Sequence, residues 1–252
     1  MIPKIIHYCW LSNDKIPQNL QQCMVSWKEK LPDYKFIKWD FSRFDKECSP
    51  WVKEAFEHKK YAFACDFIRL YAVYNYGGIY MDMDIEVRKP FDNLLSKEYM
   101  IAYEQDNTRR IEAGCFGAEA KNLYLKECLK HYNGRHFVHS DGSFDQTVLP
   151  VIMQETMERI NLELEIYTSD YFTCKSFDTG VITTTENTYA IHHFAGSWKT
   201  PEEQAIIEET QRLSRYTGYF IARNIIEYKY AIKNRTILSL TEKKILGKLK
   251  RI

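Results

Sequence analysis

Asp82 and Asp84 flank a single methionine at the end of a short apolar stretch, Gly77-Gly78-Ile79-Tyr80-Met81-Asp82-Met83-Asp84. If the stretch continues as a strand, residues two apart point to one face, and the two carboxylates meet at one site. Such groups repel each other unless a cation or strong donors lie between them. Hard oxygen donors suit Mg²⁺ or Mn²⁺, ions commonly shared between one or two carboxylates and the phosphates of a substrate. A bare Asp-x-Asp also occurs at solvated strand ends, so the residues before it have to decide.

Those residues read YAFACDFIRLYAVYNY from Tyr61. Phe63, Phe67, Leu70, Tyr71 and Tyr74 recur at helical spacing, and Gly77 stands where a helix ends. Asp66 and Arg69 are three apart and share a face of this helix. Their neighbours are apolar, which predicts burial, and a buried unpaired charge is costly. The two either satisfy each other or jointly grip a polyhydroxylated ligand, one accepting and the other donating.

Around this centre the sequence predicts a strand at 4–10, a helix at 18–30 and a strand through 34–39, a βαβ beginning that implies a parallel sheet with ligands at its carboxyl edge. Trp10, Asp40 and the Asp82/Asp84 pair all fall at such ends, so Trp10 and Asp40 face the cofactor crevice. His7 and Cys9 alternate on the first strand; they could suggest a metal site, but such positions read sooner as core or as pocket wall. Strands are expected at 100–103 and 112–118, and helices at 122–132, 202–216 and 220–233. A further helix is expected from Gly142 to about Arg159. It would carry Asp145 and Gln146 in its first turn, either as simple capping groups or as groups with a functional role. His192 and His193 are adjacent, so in extended chain only one of them enters the site.

Three blocks, PKIIHYCW, YAFACDFIRLYAVYNYGGIYMDMDIEV and IHHFAGSW, lie in order between Pro3 and Trp198. They resemble the DXD-containing sugar transferases of glycosyltransferase family 32, which include bacterial capsular polysaccharide and lipopolysaccharide enzymes. More distantly they are similar to the glucosylating domains of large clostridial toxins. The resemblance implies a GT-A fold, a Rossmann-like α/β domain with a mixed central sheet that binds a nucleotide-sugar, with Mn²⁺ or Mg²⁺ on the diphosphate and retention at the anomeric carbon. It implies that Trp10 stacks on the base, that Asp66 and Arg69 hold the donor sugar, and that Tyr80 lies beside it. Asp82 would meet the ribose and metal region and Asp84 the metal directly. His193 would complete the metal site, and Ser197 and Trp198 would lie on a loop closing over the diphosphate. Asp145 and Gln146 correspond to an Asp-Gln pair that faces the anomeric carbon in related retaining enzymes.

The whole chain sets outer bounds. Its 252 residues fit one catalytic domain over 1–200 with a helical basic extension over 201–252. A net charge of +1 gives no nucleic-acid signature. Seven Cys without CxxC spacing fit a reducing compartment. With no leader pattern and no apolar run of membrane-spanning length, a cytoplasmic enzyme is expected. The tail ILSLTEKKILGKLKRI alternates Ile/Leu with Lys, as in a helix lying on an anionic membrane surface or packed on the domain. The function expected is transfer of a hexose, from a UDP-sugar sooner than a GDP-sugar, to a glycan or lipid-linked glycan in surface polysaccharide synthesis. The alternatives are an inactive nucleotide-sugar or glycan binding module and a metal-dependent nucleotide phosphohydrolase.

Overall fold

The computed structural model describes residues 1–105, 110–161, 164–196 and 199–234. Ser197, Trp198 and the basic tail from 235 onward therefore lie outside the described residues. The described chain falls into two compact units, one of residues 1–174 and 183–196, the other of residues 175–182 and 199–234.

In the first unit the order is β1 (Ile5–Cys9), α1 (Gln18–Lys30), β2 (Lys35–Trp39), α2 (Pro50–Glu57), α3 (Tyr61–Tyr76), β3 (Gly78–Met81) and β4 (Ile85–Val87). There follow β5 (Tyr99–Met100), β6 (Tyr103–Gln105), β7 (Arg110–Ile111), β8 (Cys115–Ala118), α4 (Leu123–Lys130), α5 (Leu149–Arg159) and β9 (Ala190–His192). The central sheet has the strand order β2-β1-β3-β8-β5. Strands β1, β2 and β3 are parallel and β8 is antiparallel to β3, so the sheet is mixed. The α/β architecture with a mixed central sheet is thus what the chain adopts.

Alternation along the strands separates two cores. Ile79 and Met81 point into one with Ile6, Leu20 and Trp27, whereas Tyr80 and Phe116 point into the other with Trp51, Ile68 and Leu125. Helix α1 buries Leu20, Cys23 and Trp27, and the Trp27 indole donates to the Ile85 carbonyl at 2.6 Å. Helix α3 stops at Gly77, whose φ of 64° is left-handed and whose N–H closes the last turn on Val73. Gly78 follows at φ 107°, and a Cβ there would lie 2.6 Å from the Ile5 carbonyl oxygen. Only glycine lets β3 start this close to β1.

The expected strands over 100–103 and 112–118 are shorter and broken, because the chain turns between β5 and β6 and again after β7. The helix expected from Gly142 starts only at Leu149. Residues 138–144 instead form a tight hairpin, with a Val138–Phe144 bridge and the His139 N–H on the Ser143 carbonyl. Pro150 then sits in the first turn of α5, where its missing N–H is harmless. Glu54 of α2 anchors the entry to this hairpin by accepting from the Phe137 and Val138 N–H groups at 2.8 and 3.0 Å.

In the second unit α6 (Pro201–Thr217) opens with a Thr200/Glu203 capping box and α7 (Tyr219–Lys233) follows after Gly218. Residues 175–182 belong with them: Gln211, Ser214 and Arg215 of α6 donate to the carbonyls of Phe177, Asp178 and Thr179. Helix α7 buries Ala222, Ile226 and Tyr230 on its inner side. Among the described residues no helix is long and apolar enough to cross a membrane.

Candidate functional site

Strand β3 ends at Met81, and Asp82-Met83-Asp84 is a turn rather than a strand, closed by the Ile85 N–H on the Asp82 carbonyl at 3.1 Å. The two carboxylates are therefore brought together by a reversal of the chain between β3 and β4, not by strand alternation. The cause is that β4 leaves the central sheet to pair with β9.

Arg69 is the hub of the buried side. It is 7% exposed, and its Nη1 donates to Asp82 Oδ2 at 3.2 Å and to the Ala113 carbonyl at 2.8 Å. Its Nη2 lies 3.3 Å from Asp66 Oδ1, and its guanidinium lies 4.5 Å from the centre of the Tyr80 ring. The Tyr80 hydroxyl donates to the other Asp82 oxygen at 2.8 Å. Asp66 also accepts from the Leu149 N–H at 3.2 Å, so this carboxylate of α3 caps the start of α5. Asp66, Arg69, Tyr80 and Asp82 thus form one network. Among the described residues two buried polar atoms near it have no hydrogen-bond partner, Arg69 Nε and the Tyr132 hydroxyl. Orphaned buried donors of this kind mark a place where a ligand or water is accommodated.

On the other side of Asp82 stand Asp84 and His192. The Asp84 Oδ2 accepts from the Ala195 N–H at 2.7 Å, and its Oδ1 lies 3.5 Å from His192 Nε2. One ligand atom from each of Asp82, Asp84 and His192 lies within 4.8 Å of the others, a set of two oxygens and one imidazole nitrogen suited to a divalent cation. Gly114 makes the space: a Cβ there would come within 2.7 Å of Glu112 Oε1 and His192 Cε1 and 2.9 Å of Asp82 Oδ2. Donor chemistry and the cradle at Gly114 both fit a Mn²⁺ or Mg²⁺ ion held by Asp82, Asp84 and His192.

The expectation that His193 completes this cluster is corrected. Residue 192 pairs with Ile85 across the β4–β9 ladder and its ring enters the site, whereas His193 Nε2 lies 3.0 Å from Glu86. Strand alternation sends the two rings opposite ways, and the register selects His192. Of the two roles expected for His7, core or pocket wall, the structure gives the core, so it does not reach the cofactor crevice. It is fully buried, its Nδ1 accepts from the Trp39 indole at 3.0 Å, and its Nε2 meets the Gly77 carbonyl at 2.8 Å. Both ring nitrogens are engaged, and burial lowers its pKa.

Trp10 and Asp40 stand just beyond the carboxyl ends of β1 and β2, on the sheet edge from which Asp82 also emerges. The Trp10 indole donates to the Asp14 carbonyl. Asp40 is paired with Lys38 at 2.7 Å and accepts from the Ser42 N–H and hydroxyl, and these hydrogen bonds hold its carboxyl down at about 2. Asp145 does not open a helix. It accepts from the Thr147 N–H at 3.0 Å and hydroxyl at 2.7 Å and faces Arg135 at 3.7 Å, a local turn, while Gln146 is exposed. Ser197 and Trp198, expected on a closing loop, lie outside the described residues.

One participant has no counterpart in the sequence expectations. Glu112 is 1% exposed and accepts from the Gly114 N–H at 2.5 Å, the Cys115 N–H at 3.2 Å and the His192 ring at 3.1 Å. The signal available was a single acidic residue inside the apolar run from Ile111 to Ala118. The network splits its carboxyls. Burial raises Asp82 despite the Arg69 guanidinium, and the neighbouring Asp84 adds to the rise. Asp84, also buried, is nevertheless held below the usual range by His192 and the Ala195 N–H. Burial opposes charge on His192, but Glu112 and Asp84 outweigh it and raise its pKa well above the ordinary value.

Fold and site together define an α/β protein with a carboxylate–imidazole cluster at the carboxyl edge of its parallel strands. Residues 17–101, which hold Asp66, Arg69, Asp82 and Asp84, match the family model described as "Glycosyltransferase sugar-binding region containing DXD motif". The chain is 30% identical over 145 residues to mannosyl phosphorylinositol ceramide synthase SUR1 of Saccharomyces cerevisiae, covering 55% of this chain and 37% of that protein. It is 31% identical over 153 residues to inositol phosphoceramide mannosyltransferase 1 of Schizosaccharomyces pombe, covering 54% and 45%. The matched stretch thus spans less than half the length of these relatives. Among solved structures the PaToxG glycosyltransferase is similar at 17% identity, covering 63% of this chain and 70% of that one, with a TM-score of 0.49.

Proposed function

We propose that the protein is a metal-dependent glycosyltransferase of GT-A type that moves a hexose from a nucleotide-sugar to a hydroxyl of a glycan or lipid-borne acceptor. The observation that carries the reading is the joining of the Asp66–Arg69–Asp82 network to the Asp82–Asp84–His192 cluster through one shared carboxylate. Such a site holds a sugar on one side and a cation with its diphosphate on the other. When bound, the cation supplies positive charge to the diphosphate as the glycosidic bond breaks. Because one donor is an imidazole nitrogen, Mn²⁺ suits the site better than Mg²⁺, which prefers six oxygens.

Arg69 is held rigid by Asp66, Asp82 and the Ala113 carbonyl, so it orients sugar hydroxyls without having to be ordered at the moment of reaction. Asp66 accepts a sugar hydroxyl while keeping the start of α5 in place. Retention is what the resemblance to family 32 implies. With no carboxylate free beside the network as a covalent nucleophile among the described residues, retention would run by same-face attack rather than through a glycosyl–enzyme intermediate. The relatives' names add an inositol-phosphoceramide type of acceptor to the glycan acceptors, and both are carried at a lipid surface. The setting is surface-glycan synthesis on the cytoplasmic side of a membrane, contacted through α7 and the basic residues beyond it.

The test is nucleotide release from a panel of UDP- and GDP-sugars with Mn²⁺, in the wild type and in Asp84→Ala. The expected outcome is metal-dependent release by one donor, reduced by roughly 100-fold or more in the variant. Binding of nucleotide-sugar without turnover, with or without acceptor, would favour a binding module. Release of a nucleoside monophosphate and a sugar 1-phosphate with no acceptor requirement would favour a phosphohydrolase.

A further inference from the structure

We propose that Glu112 is a positioning residue: it fixes the tautomer and orientation of His192, so that Nε2 faces Asp82 and Asp84 as a metal-binding nitrogen. The inference rests on reading that cluster as the metal site of the proposed transferase.

Glu112 is itself immobilised. Its Oε1 accepts from the consecutive N–H groups of Gly114 and Cys115, at 2.5 and 3.2 Å. Both of its oxygens then lie within 3.1 and 3.2 Å of His192 Nδ1. A carboxylate opposite Nδ1 makes that nitrogen the donor, which in a neutral imidazole leaves the lone pair on Nε2. Nε2 is the atom that lies 3.5 Å from Asp84 Oδ1. The ring has little other freedom. Its backbone N–H bonds the Phe172 carbonyl at 2.9 Å, and Phe194 stacks on the imidazole with centroids 4.1 Å apart.

A purely structural role explains less. The turn N–H groups of Gly114 and Cys115 would be satisfied equally well by a neutral amide oxygen, and a buried carboxylate is costly unless its charge is used. Here the charge is directed at His192. The glycine at 114 is required by the same geometry, because any side chain there would displace both Glu112 and the imidazole. A buried carboxylate behind a ligand histidine raises the basicity of the distal nitrogen and holds the ring at its working angle.

The test is Mn²⁺ titration of the full chain by calorimetry, with pulsed electron paramagnetic resonance to detect nitrogen coupling to the bound ion. Wild type, His192→Ala, Glu112→Gln and Glu112→Ala are compared, with circular dichroism as a check on folding. The wild type is expected to show imidazole nitrogen coupling that His192→Ala lacks. Glu112→Gln keeps the shape and both turn hydrogen bonds and is expected to weaken Mn²⁺ binding by about 10- to 100-fold, with altered coupling. Wild-type affinity and unchanged coupling in Glu112→Gln would overturn the inference while leaving the metal site standing. Absence of Mn²⁺ binding by the wild type would instead overturn the metal-site reading and this inference with it. Should Glu112→Ala unfold, Glu112→Gln alone decides.

Discussion

Asp66 and Asp84 are both buried carboxyls, and their surroundings push them in opposite directions. At Asp66 burial dominates: the Arg69 guanidinium opposes it, Asp82 adds to it, and the pKa rises to about 6. A carboxyl whose folded pKa lies above its unfolded value contributes stability that is complete below the unfolded pKa, about 3.9. That contribution is lost as pH climbs through about 6. For a shift of this size the change approaches about 3 kcal/mol, an upper bound. Urea unfolding of the metal-free protein at pH 4 and pH 7 should therefore show wild type losing stability relative to Asp66→Asn across this interval. Parallel pH profiles for the two proteins would contradict the assignment. The same residue illustrates what the sequence could reveal. Its apolar neighbours signalled burial and its spacing signalled Arg69, but its hydrogen bond to Leu149, far along the chain, had no local trace. His192 and His193 show the limit more sharply, since their sequence fixes that one faces inward and only the β4–β9 register says which.

Among the elements, the helices were the most legible, for α1 and α3 run over the residues that their periodicity and the glycine stop indicate. Turns were less so. The reversal at Asp82–Asp84 depends on β4 joining β9, a strand more than 100 residues later in sequence, and the late start of α5 depends on Pro150 and the hairpin before it. The junction of α3 with β3 is the element on which the site most depends. Gly78→Ala would place a Cβ 2.6 Å from the Ile5 carbonyl in a left-handed conformation, forcing β3 away from β1. A loss of at least about 2 kcal/mol is expected, seen as a melting temperature lower by roughly 5 °C or more. Gly134→Ala is the control: its φ is also positive, but nothing lies within 4 Å of the added carbon. Its cost should stay near about 1 kcal/mol. Equal losses in the two variants would show that conformational strain, not the approach of β3 to β1, sets the effect.

At the scale of the whole molecule the net charge of +1 hides an uneven distribution. Helix α7 turns Ile221, Ile225, Tyr228 and Ile232 outward, and Phe220 beside them is 79% exposed. This stripe lies at helical spacing on the side away from the buried Ala222, Ile226 and Tyr230. Residues 235–252 after it carry six Lys or Arg and one Glu. Apolar residues flanked by cations match a bilayer with anionic headgroups, where each basic residue contributes about 1 kcal/mol at low salt. Cosedimentation with phosphatidylglycerol-containing vesicles is therefore expected, falling with added salt and with Ile225→Asp. Phosphatidylcholine vesicles should retain much less. Failure to bind anionic vesicles at low salt would remove the membrane from the proposed function without touching the Asp82–Asp84–His192 cluster.

Two carboxylates from neighbouring helices, Glu54 at Phe137–Val138 and Asp66 at Leu149, hold the two ends of the segment 137–149 that contains the hairpin. The clamps take hold of main-chain N–H groups, which any sequence except proline offers. The stretch between them is in this sense a cassette. Apart from Phe144, which stacks on Phe137, its side chains can be exchanged while its anchorage persists, which makes residues 139–143 the natural place to insert foreign sequence into this scaffold.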